Sequence, residues 1–162
     1  MSVRFSHNQA FANGHSFTVK LNAQYSPSAS RIGDSVYSSD WFYIGGVGSI
    51  RGYQESFFGG EHGFYLNLEY AMPFKNYRNL APIVFFDYGR VYGPGTILLD
   101  ERGLASAGLG LRWYNNDGKL NGTVWLGVPF VKNSNAGKID DARIHFSLYA
   151  QFDHLLAPLF KE

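Results

Sequence analysis

The densest run of residues that could do chemistry is Phe42-Tyr-Ile-Gly-Gly-Val-Gly-Ser-Ile-Arg-Gly-Tyr53. Its closely spaced glycines permit sharp backbone turns. Arg51 stands between an apolar residue and a glycine, where a loop tip would present it. A cation on a glycine-rich loop invites a phosphate reading. The context opposes it, because no Gly-Lys-Ser/Thr follows and no helix opens after the glycines. Ser49 and Asp87 offer a hydroxyl and a carboxylate, but no base or oxyanion turn is placed with them, so no enzyme is expected. The five histidines (His7, His15, His62, His145, His154) are dispersed with no pair at ligand spacing, so no metal site is expected. The lack of cysteine removes a thiol nucleophile, a disulfide framework and a Cys-based zinc site. No cofactor is expected either. Net charge is +1 and the cations are scattered, which leaves no basic surface for nucleic acid.

The elements that position these residues are strands. Apolar and polar residues alternate with period two through about seven segments. These run Val3–Ala12, Phe17–Ser26, Gly63–Pro73, Pro82–Tyr92, Leu104–Tyr114, Leu120–Phe130 and Ala142–Phe152. Each is about ten residues long, which suits a tilted bilayer crossing better than a soluble strand. The polar faces carry Lys20, Glu69, Asp87 and Arg112, which suits a wet lumen. The apolar faces carry aromatics near their ends, as an interfacial girdle would. Asn13-Gly14 and Asn116-Asp117-Gly118 are tight-turn signals, and 74–81 is a fairly short link. Longer links at 27–60, 93–103 and 131–141 alternate with these, so short turns fall on one side and long loops on the other. No run of about 18 apolar residues exists, which excludes a transmembrane helix. Mean hydropathy is −0.19, a middling value that alternating strands also produce. The N-terminus lacks the basic and apolar regions of a signal peptide, so an exported chain would here be a fragment of a longer protein. The competing reading of the pattern is a soluble β-sandwich or small barrel that binds a ligand or partner.

Two segments resemble known signatures. Gly45-Gly-Val-Gly-Ser-Ile-Arg-Gly-Tyr53 resembles the loop signature of the outer-membrane assembly and translocation superfamily, with Ile50 where valine is usual. Phe85-Phe-Asp-Tyr-Gly-Arg-Val91 resembles the superfamily's second signature, in which Phe85, Asp87, Gly89 and Val91 recur on a barrel strand. The flanking Gln24-Tyr-Ser26, Asp40-Trp-Phe42 and Gly108-Leu-Gly-Leu-Arg112 are similar to the two-partner secretion branch, the haemolysin secretion/activation type. The resemblance covers about Phe17 to Phe152 and implies an all-β, antiparallel, up-and-down transmembrane β-barrel. The chain would supply its C-terminal part, about seven of sixteen strands, an even total being the rule for such barrels. Residues 1–152 would be barrel segment, with long loop 27–60 folded into the lumen, and 153–162 a tail.

The resemblance also implies that Arg51 contacts an acidic residue of the inner wall. Parity places Phe85, Asp87, Gly89 and Val91 on one strand face, so Asp87 could receive a bidentate Arg51, with Gly89 leaving room for the loop backbone. Glu69 and Arg112 are read mainly as hydrated lumen lining, with extension of that charge network as the other reading. Phe146, Leu148 and Phe152 resemble the terminal signal by which barrels are recognised for insertion, although ten further residues after Phe152 depart from it. The function implied is a pore that exports a large partner protein across the bacterial outer membrane. The implied partners are that secreted protein, outer-membrane lipid and the barrel-assembly machinery, with a monomeric barrel at full length. A barrel-assembly factor of the same superfamily is the alternative.

Overall fold

A computed structural model of the chain describes residues 1–26, 38–74, 79–93, 103–115, 119–131 and 139–151. Nine strands form within them: β1 (Ser2–Ala10), β2 (Ser16–Gln24), β3 (Phe42–Ile44), β4 (Phe58–Gly60), β5 (His62–Ala71), β6 (Leu80–Tyr92), β7 (Gly103–Tyr114), β8 (Leu120–Pro129) and β9 (Arg143–Ala150). Seven make one sheet in the order β1-β2-β5-β6-β7-β8-β9, and β3 pairs with β4 in a separate ribbon. Every pairing is antiparallel. Each strand of the large sheet lies beside its predecessor, so the wall is an open up-and-down sheet. The seven alternating segments are its seven strands, displaced by at most two residues at either end.

The alternation dictates the two faces. On the outer face Val84, Phe86, Leu109, Leu111, Val124, Leu126, Val128, Ile144, Phe146 and Leu148 are all exposed. A continuous apolar surface of this kind is costly in water and satisfied in lipid. The opposite face holds Asn67, Glu69, Phe85, Asp87 and Arg112, with Asp87 fully buried. The first hairpin closes at Asn13-Gly14, as its sequence predicts. Gly14 has a φ of +85° and the Asn13 side chain accepts the His15 N–H at 3.0 Å. The Asn116-Asp117-Gly118 turn, the loop portion 27–37, Phe152 and the tail lie outside the described residues.

The long loop contains a 3-10 turn (Ser38–Asp40) and the β3–β4 ribbon. The expectation of a wet inner face holds only in part. Phe42, Ile44, Ile50, Tyr53 and Phe58 from the loop segment pack against Val91 of β6 and Leu104 of β7 in one buried cluster. Among the described residues, cover for the inner face comes from the loop and its β3–β4 ribbon, which fold back against the sheet.

Candidate functional site

The β3–β4 ribbon carries the glycine-rich segment inward. Tyr43 faces Gly59 and Ile44 faces Phe58, after which the chain leaves the ribbon through Gly45 and Gly46. Both have a positive φ, +111° and +94°, which residues with side chains rarely adopt. Ser49 closes the turn from within. Its Oγ accepts the Gly45 N–H at 2.8 Å and donates to the Gly45 carbonyl at 3.1 Å. The Gly46 N–H adds a bond to the Ile50 carbonyl at 3.0 Å, and Glu55 accepts the Val47 N–H at 2.7 Å. A turn satisfied by its own groups can enter the lumen without leaving polar backbone unpaired.

Arg51 emerges from this turn onto the wall and is 5% exposed. Its Nε and Nη2 donate to the two carboxylate oxygens of Asp87, each at 2.8 Å, while its backbone N–H reaches Asp87 Oδ2 at 3.0 Å. Asn67 Nδ2 completes the set at 2.8 Å to Oδ1 and also donates to the Ser49 carbonyl. Asp87 therefore accepts four hydrogen bonds, which fills the four lone-pair sites a carboxylate offers. The remaining guanidinium nitrogen, Nη1, donates to Glu69 Oε2 at 2.8 Å. The other Glu69 oxygen takes Arg112, whose Nε lies 3.4 Å from Thr123 Oγ1. Two cations and two anions thus alternate along the wall, so the buried cluster carries no net charge. The Phe85 ring lies 3.7 Å from Arg51 Cζ and closes the flat side of the guanidinium.

The sequence-predicted residues fall into four groups. Gly45, Gly46, Ser49, Ile50, Arg51, Gly52 and Tyr53 form the inserted turn, and Phe85, Asp87, Gly89 and Val91 form the wall beneath it. Ile50 Cδ1 would lie 3.1 Å from a Cβ at Gly89, so the missing side chain there leaves room on β6 for Ile50. Glu69 and Arg112 line the lumen, and they do so as parts of the charge cluster, not as separately hydrated residues. Phe146 and Leu148 lie apart on the outward face of β9, with Phe146 78% exposed. Sequence reasoning missed Asn67, although register makes it the direct cross-strand neighbour of Asp87. It also missed Trp125, Gly127 and His145, which meet the loop from β8 and β9. Their inward parity was the available signal.

Residues 1–113 match the family described as haemolysin secretion/activation protein ShlB/FhaC/HecB. The chain belongs to this haemolysin secretion/activation family. It is similar to the outer membrane protein assembly factor BamA of Nitratidesulfovibrio vulgaris (strain Hildenborough). The two are 33% identical over 119 residues, 66% of this chain and 15% of that protein. Among solved structures it resembles CdiB from Acinetobacter baumannii, with a TM-score of 0.69 and 25% identity over 92% of this chain and 26% of that one. The sheet is thus a sector of an outer-membrane β-barrel wall, about a quarter of the solved relative's length.

In this member of the haemolysin secretion/activation family the loop is also held beyond the charge cluster. Tyr53 is 1% exposed, and its hydroxyl lies 2.9 Å from the carbonyls of Ala105 on β7 and Val131 beyond β8. The same oxygen accepts the Val131 N–H at 3.1 Å. Tyr53→Phe removes these bonds and strands a backbone donor, a cost of about 1–3 kcal/mol. Amide hydrogen exchange at Val131 should quicken by at least about fivefold, while exchange along β6 stays as it was. Unchanged exchange at Val131 would show that the hydroxyl does not hold this end of the loop.

Proposed function

We propose that the chain is the loop-bearing sector of an outer-membrane pore that exports a large partner protein, haemolysin- or adhesin-like, to the cell surface. The observation that carries this reading is the Arg51–Asp87 fork, which fixes a structured loop against the inner wall at a buried, charge-neutral point. A loop held this way occupies volume inside the barrel and sets the bore available to a passing chain. Beside the fork, Ser6, Asn8, Thr18 and Lys20 border a cavity of about 460 Å³ that Val47 and Trp125 also line. Such a mixed surface offers hydrogen bonds to an unfolded polypeptide. No catalytic step and no nucleotide enter this reading. Its partners are the secreted protein, the lipid that meets the outer face and the machinery that inserts barrels.

The second reading is a barrel-assembly factor of the same superfamily, favoured by the 33% identity to the BamA assembly factor. Depletion of the protein in its own cells separates the two. An exporter's loss should leave other outer-membrane barrels at normal abundance and retain one large protein inside the cell. A general fall in barrel abundance would overturn the export reading and support assembly.

A further inference from the structure

The fork engages β5 and β6, but the loop backbone also lies against the far end of the sheet. Gly52 has a φ of +93°, and its N–H donates to His145 Nε2 on β9 at 3.0 Å. Between them β8 carries Gly127. A Cβ at Gly127 would lie 2.6 Å from Gly52 N and 2.8 Å from Gly52 Cα, closer than any side chain tolerates. The wall is therefore hollowed at one position to admit the loop backbone, and the next strand offers an acceptor to it. Neither contact involves Asp87, Glu69 or Arg112.

We propose that Gly127 and His145 form a second docking point for the loop, on β8 and β9, that opens when His145 is protonated. The chemistry follows from the imidazole. A neutral ring has one bare nitrogen, and here Nε2 is the one that accepts. An imidazolium carries N–H on both nitrogens and faces the Gly52 donor with another donor. The groups around the ring are Trp125 across the ladder on β8, Arg143 beside it on β9, Glu55 and Arg51 from the loop, and Asp87 from β6. Glu55 and Asp87 are already engaged, by the Val47 N–H and by Arg51 with Asn67. Docking here is complete while the ring is neutral and is lost as acid protonates it. His145 is thus a positioning residue for the loop. Any effect on the pore rests on the export reading, whereas the docking point does not.

The test reads loop position directly in the membrane-inserted protein. Gly48 is on the turn, and a Cβ there meets nothing within 4 Å, so a nitroxide on Gly48→Cys reports loop mobility without crowding. The mobile spectral component should grow roughly five- to tenfold between about pH 8 and about pH 5, the effect of one lost hydrogen bond plus donor–donor opposition. His145→Gln, which keeps an acceptor at every pH, should lose that response. Gly127→Ala should be mobile at both pH values. An acid response that persists in His145→Gln would assign it to the carboxylates and overturn the proposal, as would a wild-type loop indifferent to pH. Conductance recorded on the same samples separates the two readings. A loop that moves while conductance stays constant leaves the docking point standing and counts against the export pore.

Discussion

Asp87→Ala should release the loop while leaving the barrel inserted. The side chain is fully buried and its four hydrogen bonds all come from Arg51 and Asn67, so the substitution strands Arg51 against Glu69 alone. Removing one partner of a buried pair costs about 3–5 kcal/mol, chiefly because the other charge stays dehydrated. That corresponds to a rise of roughly a hundredfold or more in the undocked population. The β5–β6–β7 ladder does not depend on this carboxylate, so heat-modifiable gel mobility should still report a folded barrel. The bond after Arg51 should become accessible to trypsin added to intact cells, and on the proposed export function the secreted partner should fall with it. Under proteinase K, which needs no arginine, the loop of the double variant Arg51→Ala/Asp87→Ala should be cut less readily than that of Asp87→Ala, because no stranded cation is left on it. Equal trypsin resistance in wild type and Asp87→Ala would mean that the fork does not hold the loop.

Gly89→Val should undock the same loop without touching a charge. A Cβ at Gly89 would lie 3.0 Å from the Phe64 carbonyl oxygen and from Tyr65 Cβ, and 3.1 Å from Ile50 Cδ1. The γ-methyls of valine then have no space except that of Ile50, which is fully buried in the loop cluster. Overpacking of this kind costs about 1–3 kcal/mol, shared between the β5 wall at Phe64 and Tyr65 and the loop at Ile50, which is the part able to move away. Trypsin cleavage after Arg51 should rise by about five- to a hundredfold. Ile50→Ala in the same chain should restore resistance by making room. If Ile50→Ala instead worsened the defect, the steric account would fail and Gly89 would matter only for the backbone of β6.

The two substitutions act on two components of one attachment. The apolar cluster of Phe42, Ile44, Ile50, Tyr53 and Phe58 supplies non-directional burial. By itself it would tolerate several placements of the loop. The fork at Arg51 accepts one, because a planar guanidinium meets a carboxylate in fixed geometry and Phe85 closes its flat side. Desolvation of four charged groups thus secures one defined loop position.

Much of this was legible in the amino-acid order, for a physical reason. Strand side chains alternate with period two, so Asp87 and Val84 had to point to opposite faces wherever β6 lay. The outward apolar residues of β7 and β8 are readable in the same way, as is the Asn13-Gly14 turn. The glycines around Ser49 and Arg51 announced a turn with a cation at its tip. That Asp87 receives this cation was expected from the family resemblance and from strand parity, whereas the part of Asn67 in holding it was not and that of Glu69 was only the second reading. Asn67 meets Asp87 because of the β5–β6 register, and register depends on how whole strands pair. The β3–β4 ribbon escaped notice because three residues per strand are too few to show a period. Arg112 and His145 reach the site from strands 61 and 94 residues beyond Arg51, brought there by the meander and the inward fold of the loop. The strands, their two faces and the glycine-bounded turn follow from local sterics and side-chain alternation, so they can be read along the chain. The closing of four charges into a neutral cluster and the hold of β8 and β9 on its far side appear only once the chain is folded. Those outcomes depend on which surfaces meet, and burial and electrostatics settle that once the sheet exists.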